Sequence, residues 1–119
     1  AQACRRHGIA VMMGAPNLIR GGSHSGNVAA ADLAGSGLLD ILSSDYVPSA
    51  LMTGCFLLAD IWDDLPRAVA TVTAAPARAA GLADRGRIAP GRRADLVRVA
   101  RINGNPVVRG VWSHGRQVG

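Results

Sequence analysis

The sequence predicts a mixed α/β fold with a parallel sheet, followed by a small antiparallel β region. Two short apolar runs, GIAVMM at residues 8–13 and LLDIL at 38–42, have the composition of strands that are buried on both faces. A loop and a helical pattern separate the two runs, and such a crossover joins parallel strands. After Gly81, glycines punctuate short strand-like segments, which indicates a change of architecture.

The loops and helices of the first part follow from its prolines and caps. Pro16 cannot extend a central strand, and the stretch LIRGGSHSGN offers little apolar surface, so residues 14–27 are expected to be loop. Residues 43–48 form a second predicted loop. The predicted helices are 28–34 with Asn27 as N-cap, 49–62 beginning near Ser49, a helix from the Asp64 cap through Pro66 to about residue 74, and a short one from Pro76 to Gly81.

The second part is predicted to be antiparallel. Its strands are expected at residues 94–100, 106–112 and 115–118. The dipeptides Asn103-Gly104 and His114-Gly115 between them are typical of tight turns.

Composition excludes several classes of protein. With 119 residues, 49% hydrophobic and 18% charged, the chain fits one globular domain. The sequence contains neither an apolar run of membrane length nor a signal-peptide pattern, so we expect a cytoplasmic protein with no membrane partner. The net charge of +5 comes from arginines that are mostly dispersed. The two adjacent pairs, Arg5-Arg6 and Arg92-Arg93, lie far from the four aromatic residues in the sequence, which argues against nucleic-acid binding. Cys4 and Cys55 lack metal-ligand spacing and are predicted to be free thiols.

Two polar clusters follow the predicted parallel strands, where α/β proteins place their active sites. The first offers a guanidinium, an imidazole, hydroxyls and unhindered amides ahead of a helix, a combination that favours a phosphate-bearing ligand. Its other interpretation is a glycine- and serine-rich loop without a ligand. The candidate ligand-binding residues of this cluster are Arg20, Gly22, Ser23, His24, Ser25 and Asn27.

The second cluster is Ser43-Ser44-Asp45-Tyr46. A carboxylate directly after an apolar strand can contact a metal or act as a general base, so Asp45 is the candidate catalytic and metal-binding residue. The alternative is a turn or capping role for Asp45.

The remaining candidate residues are expected to be structural. His7 and His114 form no recognised metal motif with His24, and we expect His7 on the surface and His114 in a turn. Met12, Met13 and the apolar side chains of residues 56–62 are expected in the core.

Two segments carry a family resemblance. GRIAPGRRADLV at residues 86–97, preceded by APAR at 75–78 and AGL at 80–82, resembles the carboxyl-terminal signature of the amidohydrolase superfamily. The text from Gly14 to Pro48 resembles the PhnM family of the bacterial carbon–phosphorus lyase pathway. Members of that family are alpha-D-ribose 1-methylphosphonate 5-triphosphate diphosphatases, which release diphosphate from a triphosphorylated phosphonate sugar.

The resemblance implies both a fold and residue roles. Residues 1–85 would be the last two strand–helix units of a metal-dependent (β/α)8 barrel, with strands seven and eight at 8–13 and 38–42, and residues 86–119 would belong to a small β-sandwich. Asp45 would match the strand-eight aspartate that contacts the metal and takes the proton from the attacking water. Asp95 belongs to the signature and is expected to be a structural turn carboxylate.

The chain is shorter than the family fold. A complete barrel takes roughly 250 residues, so we expect a piece of a longer protein, or a processed product, that is inactive alone and whose apolar faces are covered by the rest of the barrel or by a second copy. The divalent metal, which would be zinc, manganese or magnesium, would take its other ligands from outside this chain. Two other functions remain open: hydrolysis of a non-peptide carbon–nitrogen bond, and a non-catalytic phosphate-binding or interaction module.

Overall fold

The computed structural model describes residues 1–20 and 30–119, with the backbone alone for Arg20, Ala30 and Ala31. The described residues form two compact units, Ala1–Val72 and Thr73–Gly119. The first unit contains both helices and strands, which confirms the mixed α/β class. The elements are α1 (Gln2–Arg6), β1 (Met12–Gly14), α2 (Ala15–Arg20), α3 (Ala30–Gly35), β2 (Ile41–Ser43), α4 (Ala50–Trp62), α5 (Leu65–Ala70), α6 (Ala74–Ala79), β3 (Leu96–Ile102), β4 (Asn105–Ser113) and β5 (Arg116–Gln117).

The strands β1 and β2 pair in parallel, as the sequence predicts. Met12 lies opposite Ile41, and Gly14 lies opposite Ser43. Before the paired residues, the carbonyl of Val11 accepts hydrogen bonds from the backbone N–H groups of Asp40 and Ile41. Both strands therefore end at the same edge, where α2 follows β1 directly and the predicted loop that contains Asp45 follows β2.

The expectation that the first strand is buried on both faces is wrong. Ile9 is 57% exposed and Met12 is 60% exposed, so Met12 is not a core residue. Met13 packs against the core, because successive side chains of a strand point to opposite faces and one face of β1 is packed. The first strand begins at Met12, four residues later than predicted, and the second begins at Ile41, three residues later than predicted.

The segment after β1 is helical, although the sequence was expected to form a loop there. Ala15–Arg20 is α2, with Pro16 as its second residue. Proline is tolerated in the first turn of a helix because the N–H groups there have no partner within the helix. Ala15 and Leu18 are buried, so tertiary packing favours the helix.

The core of the first unit forms around α4. Leu58 and Cys55 are its largest fully buried side chains. A Cβ on Gly54 would lie 2.9 Å from Leu42 Cδ2, so a glycine is needed for α4 to lie this close to β2. Leu57 and Ile61 face outward, 36% and 46% exposed, so the prediction that this whole segment is core is wrong for these two.

The predicted helix start at Asp64 is confirmed. The Asp64 carboxylate accepts a hydrogen bond from the backbone N–H of Arg67 at 3.1 Å, and Pro66 lies in the first turn of α5. The helix ends at Ala70 rather than near residue 74. Directly after this end, the buried Thr71 donates its hydroxyl to the carbonyl of Ala68. The Thr71 carbonyl in turn accepts from the backbone N–H of Leu42, which extends the hydrogen bonding of β2.

The second unit contains α6 and an antiparallel sheet in the order β3-β4-β5. Both predicted turn dipeptides connect its strands, and all four of their residues have positive φ, as two-residue hairpin turns of type I′ require. A bulge follows Arg98 in the pairing of β3 with β4. Within the described residues, no helix is long and apolar enough to cross a membrane.

Candidate functional site

Asp45 lies at the edge where both parallel strands end. It follows β2 by two residues, and its carboxylate packs over Gly14, the last residue of β1. A Cβ on Gly14 would lie 3.0 Å from Asp45 Oδ2 and 3.1 Å from Asp45 Cβ. The absence of a side chain at position 14 is therefore what makes room for the carboxylate at this edge.

A tight turn holds Asp45 with its carboxylate exposed. The backbone N–H of Val47 donates to the carbonyl of Ser44 at 3.1 Å, and Asp45 has a φ of 53°. Few residues other than glycine adopt positive φ, and aspartate is among those that tolerate it. Because the carboxylate is exposed at the strand ends, it is accessible to a ligand that approaches this edge.

A second aspartate, Asp40, lies at the opposite end of β2 and has a structural role. Its Oδ2 accepts from the backbone N–H of Val11 at 2.8 Å, and its Oδ1 forms an ion pair with Arg5 at 3.0 Å. Arg5 also donates to the carbonyl of Gly37. The sequence offers one signal for this residue, a charge inside the apolar run LLDIL, and that signal does not distinguish a structural carboxylate from a catalytic one.

Most of the predicted ligand loop lies outside the described residues. Arg20 is the last residue of α2, so it belongs to a helix and not to the predicted loop, and its side chain is not described. The other candidate ligand-binding residues, all outside the described part of the chain, are Gly22, Ser23, His24, Ser25 and Asn27.

The described residues do not complete a metal site. Within residues 1–20 and 30–119, no group of three histidine, cysteine or acidic side chains is arranged to hold a metal ion. Catalytic metal sites usually offer three protein ligands. Asp45 can therefore supply one carboxylate to a metal but cannot hold it with the described residues alone.

The remaining candidate reactive groups have structural surroundings. Burial raises the pKa of Cys55 to about 11, so this free thiol is inert, as expected. The carboxylate of Asp95 accepts from the backbone N–H of His114 at 3.0 Å and pairs with Arg93 at 2.8 Å. The hydrogen bond from His114, followed by Arg93, holds the pKa of Asp95 below its ordinary value. These contacts fit the predicted structural role of Asp95.

The fold and this site define an α/β protein whose candidate catalytic carboxylate lies at the carboxyl ends of parallel strands. A model of the amidohydrolase family matches residues 22–118, and the chain belongs to that family. The chain is also similar to the alpha-D-ribose 1-methylphosphonate 5-triphosphate diphosphatase of Escherichia coli (strain K12), with 53% identity over 121 residues. That match covers 99% of this chain and 32% of the relative's length. No solved structure matches the chain.

Proposed function

We propose that this chain is the carboxyl-terminal part of a metal-dependent hydrolase of phosphonate catabolism, which releases diphosphate from alpha-D-ribose 1-methylphosphonate 5-triphosphate. The observation that carries the proposal is the 53% identity to the diphosphatase of E. coli, which extends over 99% of this chain. The amidohydrolase family, to which the chain belongs, generally uses divalent metal ions. We further propose a cytoplasmic location, on the resemblance to phosphonate-catabolic enzymes.

In this proposal residues 1–85, with β1 and β2 as two neighbouring strands, belong to a (β/α)8 barrel, and residues 86–119 contribute to a β-sandwich. The parallel pairing of β1 and β2, and the position of Asp45 at the carboxyl ends of these strands, fit the active-site end of such a barrel. Apolar side chains at the surface of the first unit support the same idea, because Ile9, Met12 and Ile61 are each more than 40% exposed. The remainder of a barrel, or a second copy of the chain, would cover them.

The proposed chemistry centres on Asp45. Its carboxylate would take the proton from the water that attacks the phosphoanhydride, which is the work of a general base at the edge of a cleft. It would also be one of the groups that hold zinc, manganese or magnesium, an ion that activates water in this kind of reaction, with the other ligands outside this chain. The guanidinium, hydroxyl and amide groups between Arg20 and Asn27 would neutralise phosphate charge.

A chimaera tests the proposal directly. This chain would replace the matching segment of the E. coli enzyme, and diphosphate release would be measured with Asp45 intact and with Asp45→Asn. The matched control is Asp63→Asn, because Asp63 is also an exposed aspartate with positive φ, 49° against 53° for Asp45. His24→Ala tests the loop, where weaker substrate binding is expected.

The outcomes separate the possible roles. Loss of turnover in Asp45→Asn, with turnover retained in Asp63→Asn, is the expected result. Full turnover in Asp45→Asn would remove this residue from the chemistry. A folded chimaera that releases no diphosphate but cleaves a cyclic amide would instead identify a carbon–nitrogen hydrolase. The 119-residue chain alone is expected to release none, since the described residues do not complete a metal site.

A further inference from the structure

The positive charge of the chain is concentrated in the second unit. Nine of the thirteen arginines lie within Thr73–Gly119, together with two of the eight aspartates. Both aspartates are paired, Asp84 with Arg85 and Asp95 with Arg93. The excess of guanidinium groups in this unit therefore has no carboxylate of its own unit to neutralise it.

Four of these arginines surround one pocket, which we call the arginine pocket. It encloses about 240 Å³ and is lined by Arg78, Arg85, Arg87 and Arg92, with apolar side chains that include Ala77 and Leu82. None of its lining residues in the described part of the chain is acidic or aromatic.

The backbone around Gly86 builds this pocket. Gly86 has a φ of 96°, and a Cβ there would lie 2.7 Å from Ala77 Cβ and 3.0 Å from the carbonyl oxygen of Thr73, so the chain lies directly against α6. This contact brings the segment that carries Arg85 and Arg87 to the helix that carries Arg78. The segment is closed by a 2.7 Å hydrogen bond from the backbone N–H of Arg93 to the carbonyl of Asp84.

Two of the four guanidinium groups are held in place by the fold. Arg85 pairs with Asp84 at 3.0 Å, and Arg92 donates to the carbonyl of Ala83. Among the described residues, no carboxylate pairs with Arg78, Arg87 or Arg92. Cations that line one pocket repel one another, and an anion bound between them would relieve that repulsion.

We propose that the arginine pocket binds a small phosphate-bearing anion. Guanidinium groups bind phosphate through paired charge-assisted hydrogen bonds, and four arginines line this one pocket. The pocket is smaller than the roughly 300 to 1,000 Å³ of sites for drug-sized ligands, which favours a phosphate or diphosphate group. A nucleic acid fits less well, because no aromatic side chain among the described lining residues offers a surface for base stacking. The proposal is independent of the role of Asp45.

Calorimetric titration of the 119-residue chain with inorganic diphosphate at low ionic strength tests this site. The test variant is Arg78→Gln with Arg87→Gln, and the control is Arg98→Gln with Arg116→Gln, which removes the same charge from exposed positions in the sheet of the same unit. The pocket variant is expected to bind diphosphate about tenfold more weakly or worse, and the control to change affinity less than about twofold. Circular dichroism checks that both variants are folded.

Several results would overturn the proposal. Equal weakening in the pocket and control variants would mean that the overall charge attracts the anion, and absence of binding to the parent chain would exclude the site. Loss of diphosphate binding in the longer chimaera would mean that the pocket is an internal contact of a larger fold. Titration with ribose 5-phosphate identifies the source of the phosphate group: binding would support phosphate monoesters as ligands, and binding of diphosphate alone would support an inorganic anion.

Discussion

Substitution of Gly14 by alanine is expected to damage catalysis without damaging the fold. The added methyl group would lie 3.1 Å from Asp45 Cβ and 3.3 Å from Asp45 Cγ. Carbon atoms in contact prefer about 3.5 to 4.0 Å, and Asp45 Cβ moves only with its backbone, so the turn that carries Asp45 must shift by roughly half an ångström. A misplacement of about 1 Å can reduce a rate about 100-fold, and we therefore expect a loss of roughly 10- to 100-fold in kcat.

The stability of the fold should change little. Alanine is favoured over glycine in a strand by about 0.5 to 1 kcal/mol, which offsets the cost of a small shift in the exposed turn at Asp45, so the free energy of unfolding should stay within about 1 kcal/mol of the parent. The assay is diphosphate release by the chimaera, accompanied by thermal unfolding. Gly35→Ala is the control, because a Cβ at Gly35 meets nothing within 4 Å. Parental turnover in a folded Gly14→Ala variant would refute the argument that the position of the carboxylate matters.

Three further predictions concern the fold. Leu58→Ala should lower the free energy of unfolding by about 2 to 5 kcal/mol, because Leu58 is fully buried, and Leu57→Ala on the same helix by roughly 1 kcal/mol or less; similar values from denaturant unfolding would contradict the packing of α4. The pKa of Asp95 is lower in the folded chain than its ordinary value of about 3.9 in the unfolded chain. The contribution of Asp95 to stability is therefore complete above about pH 3.9 and is lost as the pH falls through the pKa of the folded chain. Melting temperatures between pH 2 and 7 should therefore depend less on pH in Asp95→Asn. A thiol reagent should modify the partly exposed Cys4 in the folded chain but Cys55 only after unfolding, and fast modification of both would contradict the burial of Cys55.

Local sequence signals predicted those parts of the fold that depend on local chemistry. The two hairpin turns, the Asp64 cap and the parallel pairing follow from residue types at fixed spacing, and the structure has all of them. The prediction of a loop is wrong at α2, because Pro16, which cannot extend a central strand, lies in the first turn of a helix. That outcome depends on the burial of Ala15 and Leu18, which is a tertiary contact.

Burial and the arginine pocket were also beyond prediction from sequence. The composition of GIAVMM indicates a strand but not how many of its faces are covered, so the exposure of Met12 could not be anticipated. The arginines of the pocket are dispersed in the sequence, and this spacing argues against nucleic-acid binding but does not indicate a cationic pocket. Gly86 brings them together through its close approach to α6, and the sequence alone does not show where a glycine meets another element.

Two aspartates at opposite ends of β2 show how structure separates a carboxylate that serves the fold from one available for chemistry. Asp40 has a structural role, because Arg5 and the backbone N–H of Val11 contact its two carboxylate oxygens. Asp45 forms no ion pair with any described residue, and its backbone adopts a positive φ that glycine or asparagine would adopt at least as easily. Asp63 also has a positive φ and forms no ion pair with a described residue, so what distinguishes the carboxylate of Asp45 is its position at the carboxyl ends of the strands. A ligand at the strand ends would account for it, and this is the physical reason to test Asp45 before any other residue.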